Sequence, residues 1–117
     1  MKGILLRHLL DHSDEKGFRF SIECGECGRK WTSRKYPFSK ADIEAPTKEK
    51  KIIYSILYER EKKTAVARVI KEAEFEFNLC PVCGKLVCNH CFRICEDLDM
   101  CSKCAALLKE KGEQVVG

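Results

Sequence analysis

The sequence has neither a long apolar run nor an export signal. Its opening segment, MKGILLRHLLDH, is rich in leucine, but Arg7 and His8 interrupt it. That segment is too short and too polar for a signal peptide, and no later stretch approaches the roughly 20 apolar residues of a membrane-spanning helix. In a chain that is not exported, paired cysteines stay reduced and bind metal. We therefore predict a cytoplasmic protein with no membrane contact.

Recognisable catalytic motifs are also missing. The sequence contains no Ser/His/Asp or Cys/His constellation, no glycine-rich phosphate loop and no paired carboxylates on a defined scaffold. These gaps predict that the protein is not an enzyme.

Cysteine, by contrast, is abundant and regularly spaced. Eight of the nine cysteines form pairs with two intervening residues, namely Cys24/Cys27, Cys80/Cys83, Cys88/Cys91 and Cys101/Cys104. This spacing lets one tight turn aim both sulfurs at a tetrahedral ion, and two such pairs complete a closed structural site. A disulfide across so short a spacing would be strained. The pattern predicts two zinc ions bound by these eight cysteines, with Cys95 left over.

Metal binding changes the meaning of the formal net charge of +4. Zinc-bound cysteines are thiolates, so eight thiolates and two divalent ions bring the total to about zero. The basicity that suggests a nucleic-acid partner is then confined to any local basic patch.

The fold predicted for residues 1–117 is a single, small α+β domain stabilised by metal. Phe18, Phe20 and Ile22 alternate with polar residues and predict a strand leading to Cys24, with Trp31 on the returning strand. A short helix is expected near the start, with Ile4, Leu5 and Leu9 inward. Residues 75–79 are expected to be extended, with Phe75, Phe77 and Leu79 on one face.

A long helical insert separates the first cysteine pair from the second. Residues 47–74 contain neither glycine nor proline, Thr47 is a suitable N-cap, and apolar residues recur at helical spacing. Such a helix is either packed back on the metal domain or left with an apolar stripe for a partner or for self-association. A short helix should follow Cys104, and the tail at 113–117 is expected to be disordered.

The cysteine-containing segments resemble known zinc fingers. The turns Cys24-x2-Cys27-Gly and Cys80-Pro-x-Cys83-Gly resemble the knuckles of zinc ribbons and rubredoxins. The later spacing resembles a cross-brace finger of the FYVE and RING type, and a final cysteine pair on a helix is the treble-clef pattern.

FYVE membership would imply phosphoinositide binding, but the expected basic motif is replaced by the acidic, apolar EAEFEFNLCPV. RING membership would imply ubiquitin-ligase scaffolding, but the spacing departs from that family and its usual histidine ligand is missing.

These resemblances divide the ligands differently. A ribbon followed by a finger joins Cys24, Cys27, Cys80 and Cys83, and then Cys88, Cys91, Cys101 and Cys104. A cross-brace joins Cys24, Cys27, Cys88 and Cys91, and leaves Cys80, Cys83, Cys101 and Cys104. We favour the first because CGECGRK and CPVCGKL are so alike. Cys95 is expected to be a core thiol, and the ring of His90 is expected to point outward.

Three functions remain open from the sequence. The first is a non-catalytic adaptor that binds another protein. The second is a nucleic-acid-binding zinc ribbon, because residues 29–40 combine basic and aromatic side chains without an acid. Its candidate contacts are Arg29, Lys30, Trp31, Arg34, Lys35 and Tyr36. The third is electron transfer, with iron in a rubredoxin-like site or an iron–sulfur cluster held by Cys88, Cys91, Cys95 and Cys101.

Overall fold

The computed structural model describes residues 1–108 and 113–115, and for 113–114 the backbone alone. The helices are α1 (Lys2–His8), α2 (Lys48–Ala73) and α3 (Ser102–Leu107). The strands are β1 (Leu10–Asp11), β2 (Gly17–Phe18), β3 (Phe20–Glu23), β4 (Lys30–Thr32), β5 (Tyr36–Pro37), β6 (Phe77–Leu79), β7 (Leu86–Cys88), β8 (Phe92–Ile94), β9 (Met100–Cys101) and β10 (Glu113–Gln114). The molecule is elongated, with extents of 65 × 19 × 17 Å.

Small antiparallel sheets form the N-terminal part. In one, β3 lies between β1 and β4, and in the other β2 pairs with β5. Phe18, Phe20 and Ile22 are buried, as their alternation predicts, and Trp31 lies opposite Ile22 on β4. The predicted N-terminal helix is present as α1, and its Leu5 is fully buried.

The long helix α2 is unbroken over 26 residues, about 39 Å at 1.5 Å per residue. Thr47 is its N-cap, because the Thr47 hydroxyl accepts a hydrogen bond from the backbone N–H of Lys50. The buried residues of α2 all lie in its C-terminal half: Ala65, Val69, Ile70 and Ala73. The first half has no buried residue, and it contacts the rest of the protein through Tyr58, whose ring lies 4.9 Å from that of Phe18 and whose hydroxyl donates to the Asp14 carbonyl at 2.8 Å.

The C-terminal part contains the hairpin β6–β7 and a sheet in which β8 lies between β10 and β9. Phe77 is buried as expected, but Phe75 is 80% exposed because the chain leaves α2 in a turn before β6 begins. Residues Glu113–Gln114 pair with β8. Residues 109–112 and 116–117 lie outside the described part of the chain.

Within the described part of the chain, the core consists of two groups of buried residues. The larger contains all the buried cysteines together with Leu5, Ile22, Ile70 and Phe77. The smaller contains no cysteine and joins Phe18 and Phe20 to Ala65 and Val69 of α2. No helix within the described residues has the length and hydropathy needed to span a bilayer.

Candidate metal centres

Two tight turns carry the first halves of the candidate metal sites, and their geometry is nearly identical. In one, the Gly28 N–H donates to the Cys24 carbonyl at 3.1 Å, and in the other the Gly84 N–H donates to the Cys80 carbonyl at 2.8 Å. Gly28 has φ 76° and Gly84 has φ 75°, a left-handed conformation that costs glycine little. The cysteine spacing and the glycine together produce the turn.

The second halves come from later segments. Cys88 ends β7 and Cys91 ends the 3₁₀ turn that follows, whereas Cys101 ends β9 and caps α3, which contains Cys104. The Cys88 N–H donates to the Cys24 sulfur at 3.2 Å. In the same way, the Cys101 N–H donates to the Cys80 sulfur at 3.3 Å. Each turn is therefore attached to its partner segment through the backbone as well as through sulfur.

The eight paired cysteines form two groups in which all sulfurs lie within 4.8 Å of one another. Site 1 consists of Cys24, Cys27, Cys88 and Cys91, and site 2 consists of Cys80, Cys83, Cys101 and Cys104. This is the cross-brace division, so the favoured ribbon-then-finger division is wrong. The likeness of the two turns relates two different sites and does not make them halves of one. Cys83 and Cys88 belong to different sites, as both divisions predicted.

The sulfur spacing fits a tetrahedral metal. Zn–S bonds of about 2.3 Å place the sulfurs of a tetrahedron about 3.8 Å apart. The Cys27 and Cys88 sulfurs are 3.7 Å apart, and so are those of Cys83 and Cys101. In each site one cysteine is exposed and three are buried. Each group could hold one ion, and four thiolates would leave no open coordination position.

The electrostatics of the thiols also favour a cation. Burial opposes ionisation of Cys24, but backbone N–H donors from Cys27, Cys88 and Glu26 outweigh it and lower its pKa to about 6. Burial likewise opposes ionisation of Cys80, and equivalent backbone donors lower its pKa to about 6.

The partner thiols behave in the opposite way. Burial and the neighbouring thiols raise the pKa of Cys91 and of Cys104. Four thiolates in one site therefore need a bound cation to offset their mutual repulsion.

Polar side chains around the sites were not identified from the sequence. The Ser102 hydroxyl at the start of α3 donates to the carboxylate of Glu26 in the turn of site 1, which joins the two sites. The buried Asn89, inside the Cys88/Cys91 pair, donates to the Phe75 carbonyl at 2.9 Å and accepts from the Asn78 side chain at 2.6 Å. The sequence signal that could have identified these contacts was the presence of polar residues within or beside the cysteine pairs.

Cys95 belongs to neither site. Its side chain is buried in the larger core, as expected of a core thiol, and its backbone N–H donates to the Asp99 carboxylate at 3.0 Å. His8 bonds to the carbonyl of Ile4, and His12 bonds to Ser21. Neither histidine is part of a four-sulfur group.

The aromatic side chains of the basic segment have partners inside the protein. Trp31 packs edge-on against Phe77, with ring centroids 6.4 Å apart. The Tyr36 hydroxyl donates to the Glu72 carboxylate, and the Arg34 guanidinium lies 5.1 Å from the Tyr36 ring centroid.

Lys35 forms a 2.8 Å ion pair with Asp14. Arg29 and Lys30 are exposed. The segment is therefore partly used for internal packing.

Comparisons with protein-family models, with curated proteins and with solved structures found no significant match to this chain.

Proposed function

We propose that the protein is a non-catalytic module, stabilised by two zinc ions, that binds another protein through the exposed face of the N-terminal half of α2. The observation that carries this proposal is an apolar stripe on that half, made of Ile52, Ile53 and Ile56, which are 63%, 44% and 59% exposed. Ile52 and Ile56 are four residues apart and share one face of the helix. We call these three residues the isoleucine stripe.

The free-energy cost of exposing apolar side chains to water supports a partner for this stripe. Full burial of an isoleucine is worth about 1.5–3 kcal/mol, so burying each of these half-exposed side chains would stabilise a complex by roughly half as much, and contiguous exposed apolar residues commonly mark interaction sites. The same helix buries Val69 and Ala73 completely in its other half. The core therefore holds the C-terminal half of α2, and the N-terminal half presents the stripe on an exposed face.

The chemistry of the sites supports a structural role for the metal. Four sulfur ligands saturate a tetrahedral ion, so no position is left for an activated water. Zinc is the metal that best suits four thiolates without redox chemistry. Elemental analysis should find two zinc ions per chain, whereas iron and a coloured protein would favour the electron-transfer alternative.

Nucleic-acid binding is the second candidate, favoured by the exposed Arg29 and Lys30. Its weakness is that Trp31 and Tyr36, which would stack on bases, contact Phe77 and Glu72 instead. Binding through this segment should decrease steeply with added salt.

In-cell photocrosslinking separates the two candidates. A photoreactive amino acid at position 56 should give adducts with protein, because the stripe is the proposed contact. Ile52→Lys should abolish these adducts, whereas Ala67→Lys, at an exposed position of the same helix distant from the stripe, should preserve them. Sedimentation of the purified protein will show whether the partner is a second copy, as self-association through α2 requires. Absence of protein adducts at position 56, with nucleic-acid adducts at position 30, would refute the adaptor function.

A further inference from the structure

A second surface feature lies between β5 and the middle of α2. It is a cleft of about 290 Å³ whose lining includes the apolar side chains of Phe18, Pro37 and Ala65. Arg34, beside β5, and Arg68, on α2, also line it. None of its lining residues belongs to site 1, site 2 or the isoleucine stripe. The sequence did not indicate this cleft because Arg68 is far along the chain from the basic segment.

The two arginines influence the same side chain, that of Tyr36. Burial, followed by the hydrogen bond to Glu72, raises the pKa of Tyr36, and the positive charges of Arg34 and Arg68 both oppose that rise. Arg34 also stacks over the Tyr36 ring. Both guanidinium groups therefore lie beside one aromatic side chain at the wall of the cleft.

Neither arginine forms an ion pair with an acidic residue of the described chain. Within the described part of the chain, the ion pairs are formed by lysines: Lys16 with Asp42, Lys35 with Asp14 and Lys62 with Asp11. Glu61 also lines the cleft, but its two oxygens accept from the Ser39 N–H at 2.9 Å and the Ser39 hydroxyl at 2.5 Å. Glu72 accepts from Tyr36. Among the described residues, neither acid forms an ion pair with Arg34 or Arg68, so both guanidinium groups remain available to an anion.

We propose that this cleft binds a segment of a partner protein in which a carboxylate side chain stands next to a small apolar one. Arg34 and Arg68 would hold the carboxylate, since guanidinium groups pair well with its planar geometry. Phe18, Pro37 and Ala65 would contact the apolar neighbour. This inference rests on the proposed protein-binding function, and it names the chemistry of a second contact.

A polyanion fits the cleft less well than an acidic peptide. The formal charge of +4 falls to about zero with two zinc-bound thiolate sites, which removes the long-range attraction that nucleic-acid binding uses. Two arginines over an apolar floor match a single carboxylate beside an apolar group. Tyr36 faces Arg34 and bonds to Glu72, so it offers no free platform for a base.

The test is an NMR titration of the zinc-loaded protein with an end-capped octapeptide of alternating glutamate and alanine. We expect saturable shifts of the Arg34 and Arg68 side-chain signals. The same peptide with glutamine for glutamate should bind about tenfold more weakly, because it loses charge-assisted hydrogen bonds. The double variant Arg34→Gln/Arg68→Gln should lose at least as much, whereas Arg29→Gln/Lys30→Gln, with the same charge change outside the cleft, should bind like the wild type.

Three results would overturn the proposal. These are no saturable shift with the acidic peptide, equal binding of the glutamine peptide, or tighter binding of an eight-nucleotide oligothymidine that depends on Arg34 and Arg68. The proposal for the cleft and the proposal for the isoleucine stripe can be refuted independently. Arg34→Gln/Arg68→Gln should leave the adducts at position 56 intact, and Ile52→Lys should leave peptide affinity unchanged.

Discussion

Sites 1 and 2 have the same local geometry but enclose very different lengths of chain. Cys27 and Cys88 are 61 residues apart, whereas Cys83 and Cys101 are 18 residues apart. The longer loop contains β4, β5 and the whole of α2. By the logarithmic dependence of loop entropy on length, closing it costs about 1 kcal/mol more. Nearly identical turns would therefore perform different tasks once metal is bound: site 2 would hold together a short local loop, and site 1 would hold together the ends of the helical insert.

Removing both metals should disrupt both sites, and we expect it to have the largest effect on the fold of all the changes considered. Structural zinc sites contribute roughly 10–16 kcal/mol each at neutral pH, and the cysteine-containing core is the larger of the two. A strong chelator should therefore unfold the finger and change the emission of Trp31, which packs on Phe77 opposite Cys88.

The measurement is Trp31 fluorescence together with far-UV circular dichroism during chelation. Chelator already saturated with zinc is the control and should have no effect. Unchanged spectra after the metal has been shown to leave would contradict a structural role for both sites.

Paired cysteine substitutions should separate the sites. Cys24→Ser/Cys88→Ser removes two ligands of site 1 and should leave one zinc per chain, bound at site 2. Cys24→Ser/Cys80→Ser damages both sites and should leave none. Native mass spectrometry measures this directly. The ribbon-then-finger division predicts the opposite pattern, so the reversed result would show that the present grouping is wrong.

A second measurement avoids dependence on the folding of these variants. In cadmium-substituted wild-type protein, one cadmium signal should couple to the β-protons of Cys24 and Cys88, and the other to those of Cys80 and Cys101. Coupling of Cys24 and Cys80 to the same ion would contradict the cross-brace arrangement.

Local patterns predicted most of the elements, and long-range pairing was the part they could not predict. Cysteine spacing identified the eight ligand candidates, alternation placed Phe18, Phe20 and Ile22 inside, and the Thr47 cap marked the start of α2. The division of ligands between ions depends on how β6–β7 crosses from one site to the other, which no short window of sequence encodes. For the same reason, the proximity of Arg34 and Arg68 became visible only when α2 was placed against β5.

The smallest expected effect comes from a test of whether the two turns are alike in energy as well as in shape. Gly28 and Gly84 share a left-handed φ, and a Cβ added at either position meets nothing within 4 Å. The cost of alanine there is thus purely conformational, about 1–2 kcal/mol, and should be equal at the two positions. Gly3→Ala, in α1 with similar open space, is the matched control and should not destabilise. Thermal unfolding of the zinc-loaded variants measures these differences. A much larger loss at Gly28 than at Gly84 would mean that the turn of site 1 carries strain from closing the long insert, and that the two turns are alike in shape but not in energy.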